Sequence, residues 1–245
     1  TSVKASSWYS GSKKISCKGR KLIMTIQQFT FEKIFTALIF PSFMATLKML
    51  IISGILSVFF GFFIGVVLVV TDKGGLKPNK IIYQILDIIV NIVRSFPFII
   101  LMISIIPLTR FLTGSSIGEM AALVPLTVAA TPFMARIFQS SLKEVDPGLI
   151  EATKSFGASN IQIILKVMLV EAIPSIISGI SLGIINLLGA TAMAGAIGAG
   201  GLGATALTYG YQNFNYKIMY TIVVILILLV ILIQFLGDWL YKKLK

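Results

Sequence analysis

From Leu50 to Val70 the chain runs without one charged side chain, long enough to meet the roughly 20 apolar residues a helix needs to cross the hydrocarbon of a bilayer. In lipid a backbone N–H or C=O finds no water, so such a run must close its hydrogen bonds on itself as a helix. Runs of similar character recur, and the expected spans are 40–70, 81–108, 120–138, 174–196 and 218–240. A membrane β-barrel would instead show alternation over segments of about ten residues. The expected fold class is therefore an all-α integral membrane protein with five transmembrane helices.

Composition agrees. Only 12% of residues are charged, against about 25% in a soluble domain. The formal net charge of +12 is what Lys- and Arg-rich loops on one side of a membrane produce, and it carries no implication of nucleic-acid binding. One cysteine and no histidine leave no disulfide framework, no zinc site of the usual kind and no histidine base. No metal or cofactor is expected. The phosphate-cradling pattern GxxxxGK[ST] does not occur, so ATP hydrolysis is not expected of this chain.

The residues before Met24 carry Lys and Arg but no acid, and no apolar segment of signal-peptide type follows them. They are read as a non-native or disordered basic tail, 1–23, with the native start at Met24, outside a single transmembrane domain at 24–245. In the first span Gly61 and Gly65 form GxxxG, a spacing that lets two helix backbones approach, either within the chain or between copies. The second span holds Arg94 and Pro97, the third Pro125 and Pro132, the fourth Gly179, Gly183 and Gly189. Arg94 either lines a pathway or meets a substrate carboxylate, or it pairs with Asp87 about two turns below or reaches carbonyls freed by Pro97. Met193, with small neighbours such as Ala194 and Ala196, fits an apolar passage or ordinary helix packing. Gly198, Gly200 and Gly203 spell GxGxxG, but no strand precedes them and no acid follows as a dinucleotide site requires. A flexible, outward-facing loop is expected there, with Tyr209, Tyr211, Phe214 and Tyr216 as interfacial anchors.

Between the third and fourth spans lies a polar passage, 146–170, with its own helix signals. Asp146 is placed to cap a helix with Pro147 at its first position, and Gly157 to end it in the left-handed conformation. Ser159 and Gln162 have the spacing of a capping box, so a second short helix is expected at once. Two capped helices meeting at a glycine make a projection on which a partner can dock. Lys73, Lys77, Lys80, Arg136, Lys143, Lys154, Lys166, Lys242, Lys243 and Lys245 share its side, whereas Lys33, Lys48, Arg110 and Lys217 lie opposite. By the positive-inside rule the projection and the C-terminus face the cytoplasm and the segment beginning at Met24 lies outside.

Glu151, Ala152 and Thr153, then three residues, Gly157, nine more residues and Val167-Met168-Leu169, resemble the EAA motif of ABC-importer permeases. Thr153 replaces the second Ala of that motif, Val167 its Ile and Val170 its Pro. The stretches NIVRSFPFIILMISIIPLTR, GSSIGEMAALVPLTVAATPFMAR and GAIGAGGLGATALTYGYQNFNY resemble permeases of the methionine-import type. The resemblance implies an inner-membrane permease subunit working as a homodimer, with two cytoplasmic ATPase subunits that bind the ATP, an extracytoplasmic binding protein, and methionine as cargo. It implies ATPase coupling through Glu151, Ala152, Thr153, Gly157 and Ala158; Arg94 and Met193 are the pathway or gate candidates read from the residues themselves. Another amino acid or small solute remains an alternative cargo. A secondary transporter or channel is the competing class, opposed by the lack of an inverted second half and by few intramembrane acids.

Overall fold

The computed structural model describes residues 34–244; the expected tail at 1–23 and the start at Met24 lie outside them. The chain divides into two compact units, Thr1–Pro41 and Ser42–Lys245. The described part of the first is helical, with a wide turn over Phe35–Ile39. The helices that follow are α1 (Phe40–Thr71), α2 (Lys80–Ser95), α3 (Phe98–Ser104), α4 (Ile106–Thr113), α5 (Glu119–Lys143), α6 (Pro147–Ser155), α7 (Asn160–Gln162), α8 (Leu169–Ala194), α9 (Gly201–Thr205) and α10 (Tyr216–Leu244). Wide turns over Ile163–Met168 and Gly195–Ala199 extend α8 at its two ends.

Among the described residues four helices are long and apolar enough to cross a membrane, or five if the bent pair α2 and α3 counts as one crossing. That bend is 107°. It follows from Pro97, which has no N–H to donate and pushes the residue before it out of the helical region; Phe96 accordingly adopts φ −74°, ψ 129°. The second apolar run is thus two helices at nearly a right angle, where one span over 81–108 was expected. The fourth run differs in the opposite sense. Pro174 lies inside α8 and does not begin it, and the expected second short helix is the first turn of one long helix, Asn160–Ala199. Pro174 removes one hydrogen bond, yet Ala172 and Ile176 on either side are buried, and packing holds the helix through the gap.

α5 is the central helix: 61% of its apolar window is buried, against 17% for α10. Between helices in lipid, close van der Waals packing supplies what the hydrophobic effect cannot, and glycines provide it here. A Cβ on Gly61 would sit 2.5 Å from Met134 Cβ, and one on Gly65 2.6 Å from Phe138 Cβ, so GxxxG serves packing within the chain. Gly179 and Gly183 of α8 meet the side chains of Ile137 and Met134 of α5, and Gly237 of α10 rests on Ser181. Gly189 faces open space.

The GxGxxG stretch is not the flexible loop expected. Gly198, Gly200 and Gly201 take φ of +92°, +81° and +75°, and this left-handed run turns the chain sharply from α8 into α9. Gly201, Leu202, Gly203 and Thr205 are buried. Thr46 Oγ1 accepts from Leu202 N at 2.8 Å, the Ser42 and Thr205 hydroxyls are 2.6 Å apart, and Gly198 O accepts from Gly118 N at 3.0 Å. Because Gly195 lies against the backbone of Gly203 and Ala204, and Gly203 against that of Ala192, the corner is a closed joint. Tyr209, Tyr211, Phe214 and Tyr216 beyond it are exposed, as anchors require.

Candidate functional site

The passage after α5 begins with Val145, which is buried in a cluster with Val69, Phe138, Leu142, Ile163 and Met168. That cluster fixes the base of the projection to α1, α5 and the start of the long fourth helix. Above it α6 has no buried residue. Its caps form as expected: Asp146 Oδ1 accepts from Gly148 N at 2.8 Å, Pro147 is at the first position, and Gly157 has φ +80°. Ser159 N donates to Gln162 Oε1 at 2.8 Å, and Gln162 N donates to Ser159 Oγ at 3.4 Å, which completes the capping box. These local bonds hold the shape of a segment that buries almost nothing.

Glu151 and Ala152 are exposed on α6. Thr153 points back into its own helix, donating to Leu149 O at 2.7 Å, while Ala158 packs on the basal cluster together with Ile150. Of the motif residues, then, Glu151 and Ala152 are presented outward, Gly157 sets direction and Ala158 ties the turn down. Phe156, in the three residues the motif leaves unspecified, is 91% exposed, with Leu149 and Ile161 also exposed. Phe156 is thus a bare aromatic at the tip of a capped projection. Sequence reasoning passed over Phe156 because burial cannot be read from one aromatic next to a glycine.

Close to the base, Lys143 Nζ and Asp72 Oδ2 are 2.5 Å apart. The hydrogen bond from Lys143 holds the Asp72 carboxyl below its ordinary 3.8, and the pair joins the end of α5 to the loop after α1. Glu144 Oε2 accepts from Ser175 Oγ at 2.9 Å, linking the same end of α5 to α8.

The second candidate region is a polar stripe on α2. Asp87 does not pair with Arg94. Arg136 of α5 donates to Asp87 Oδ1 at 2.5 Å, to Asn91 Oδ1 at 2.8 Å and to Gln139 Oε1 at 2.6 Å, and Asn91 Nδ2 donates to Asp87 Oδ2 at 3.1 Å. Arg136 takes Asp87 because it approaches from the neighbouring helix at the same level, whereas Arg94 lies seven residues further along α2, about 10 Å. Among the described residues Arg94 makes no ion pair and is exposed. That Asp87 and Arg94 lie about two turns apart on one helix was legible; Asn91 and the partner on α5 were not. Met193 is half exposed on α8.

Comparison with known proteins gives a consistent result. Residues 57–245 match the family described as the binding-protein-dependent transport system inner membrane component. The chain is 44% identical over 198 residues to the probable D-methionine transport system permease protein MetI of Vibrio cholerae, covering 81% of this chain and 88% of that one. It is 45% identical over 171 residues to the methionine import system permease protein MetP of Bacillus subtilis, covering 70% and 77%. Among solved structures, a chain of the inward-facing MetNI methionine ABC transporter superposes with a TM-score of 0.84 at 44% identity, covering 86% of this chain and 98% of that one.

Proposed function

This chain belongs to the family of inner membrane components of binding-protein-dependent transport systems, and from that premise we propose that it is the permease subunit of an ATP-driven methionine importer. Two copies form the path, two cytoplasmic ATPase subunits power it, and an extracytoplasmic binding protein delivers methionine. The observation that carries the reading is the projection: α6, capped by Asp146 and ended by the left-handed Gly157, stands clear of the bundle with Phe156 almost fully exposed. The relatives similar to the chain are named for methionine transport, and they support the cargo assignment.

Mechanistically, α6 sits in a groove of the ATPase, with Glu151 and Ala152 facing it and Phe156 inserted as an apolar anchor. ATP-driven closure of the ATPase pair draws the two projections together. That displacement reaches the spans because the projection has no independent core: its base shares the cluster of Val69, Phe138, Leu142 and Met168 with α1, α5 and the fourth helix. The Lys143–Asp72 and Glu144–Ser175 contacts make these ends move as one. ATP binding shifts the permease outward only insofar as the closed ATPase binds the outward state more tightly. The clustering of Lys and Arg on the projection side orients the chain with its C-terminus and projection in the cytoplasm and Ser115 outside.

The test is reconstitution. The chain co-purified with its ATPase and supplied with ATP and binding protein in proteoliposomes takes up methionine, whereas the chain alone hydrolyses no ATP. Robust hydrolysis by the isolated chain, or uptake without ATP, overturns the reading.

A further inference from the structure

α2 enters from the Lys80 end, and Arg94 stands fourteen residues further along. At 1.5 Å per residue that is roughly 20 Å from Lys80, well inside a hydrocarbon layer about 30 Å thick. A charge at that depth does not face lipid; it faces protein or water. Protein within the chain does not satisfy it, since Arg94 is exposed and makes no ion pair among the described residues.

Among the described residues a second copy offers no free acid at that level either. Asp87 lies nearest along α2 and is held by Arg136 and Asn91. Glu171 is a turn nearer the projection than Ser175, which bonds Glu144 just past the end of α5. Asp238 adjoins Gly237, packed on Ser181 less than two turns further in. Among the described residues, Asp72, Asp146 and Glu151 lie at or beyond the ends of α1 and α5, and Glu119 begins α5 at its opposite end. The stripe therefore contains two guanidinium groups and one carboxylate, and its surplus cation is Arg94.

Resting on the transport reading above, we propose that Arg94 faces the water-filled path and binds the carboxylate of the passing amino acid. A guanidinium presents parallel N–H donors that match both oxygens of a carboxylate, a geometry an ammonium does not reproduce. The Asp87–Arg136 pair is a positioning feature: it neutralises the neighbouring arginine, so the cargo meets one cation per copy. Two such arginines, one from each copy, give the anionic end of the cargo a way point between the outer gate and the cytoplasm. An amino acid lacking its carboxylate gains nothing there.

The test uses the whole transporter in proteoliposomes with ATP and binding protein, in a chain whose only cysteine has been replaced, Cys17→Ser. Arg94→Cys is expected to lower methionine uptake about tenfold, a loss equivalent to about 1.4 kcal/mol, while ATPase association and hydrolysis persist. Water-borne thiosulfonate reagents then restore charge at that position. One carrying an ammonium returns part of the uptake, short of the arginine level because only the charge is restored, and one carrying a sulfonate returns none. Equal effects of the two reagents, failure of both to react, or normal uptake by the unmodified variant each overturn the proposal. Sign-insensitive uptake together with a loss of stability that anionic lipid reverses would assign Arg94 to a lipid phosphate. If Arg94→Cys fails to assemble, Arg94→Lys is examined; failure of that too makes Arg94 structural and ends the proposal. Absence of uptake with the Cys17→Ser parent would instead count against the transport reading itself.

Discussion

Two glycine-hinged regions stand at opposite ends of the long fourth helix, and they use glycine for different reasons. At Gly157 a Cβ would meet nothing within 4 Å, but φ is +80°, so the residue is needed for its backbone freedom alone. At the corner from Gly195 to Gly203 the need is mainly for space: Gly195 and Gly203 press directly on neighbouring backbone, and Gly201 lies against Thr46. The first hinge is exposed and held by capping bonds among residues close in sequence. The second is buried at Gly195, Ala199 and Gly201 to Gly203 and tied to α1 by Thr46 and Ser42 and to the start of α5 by Gly118. A local hinge can present a surface to a partner and move with it; a packed joint fixes the helices that the movement turns.

The contrast is broken most directly at Gly203. Gly203→Val forces a side chain into the backbone of Ala192, where overpacking costs typically 1–3 kcal/mol and more when backbone must move. The folded yield of the detergent-solubilised protein should collapse, as measured by size-exclusion chromatography, and a well-folded Gly203→Val protein would show that the joint is not closed. Gly65→Leu should act in the same direction, lowering the midpoint of thermal unfolding, because Phe138 and the Ala135 carbonyl stand where its Cβ would go.

Gly157→Val sharpens the comparison from the other side. A β-branched residue at positive φ costs roughly 1–2 kcal/mol or more, paid in a segment that buries almost nothing. Folded yield should stay near normal while co-purification with the ATPase and ATP-driven uptake fall, and Gly157→Ala should do less. Collapse of folded yield would mean that the projection is part of the core after all. Phe156→Ala should weaken ATPase association at unchanged stability, and Glu151→Ala should do so more mildly, since an exposed charge contact contributes about 0–1 kcal/mol.

The smallest effect concerns pH. Asp72 has its carboxyl lowered by Lys143, so its contribution to stability is present above the ordinary value of 3.8 and is lost as pH falls through the lower value of the folded state. Asp72→Asn should therefore lower the unfolding midpoint slightly at neutral pH, and the difference from the parent should vanish in strong acid. A difference that grows on acidification would reverse the sign and exclude the ion pair as its cause.

The sequence by itself determined the elements whose physics is local. Uncharged runs such as Leu50–Val70 have to be helices in lipid, and the caps at Asp146, Ser159 and Gln162 with the turn at Gly157 formed as their spacing dictates, because each bond joins residues a few positions apart. The break at Pro97 was legible in the same way, as a missing donor; the size of its bend was not, since the direction of α3 depends on what it packs against. Tertiary structure alone decided the rest. It kept Pro174 inside a continuous helix because Ala172 and Ile176 are buried there, closed the GxGxxG stretch into a joint against Ala192 and Thr46, and gave Asp87 to Arg136 instead of Arg94. In each case the deciding partner lies far away in sequence, and no local propensity encodes which distant backbone or charge arrives at that level of the bilayer.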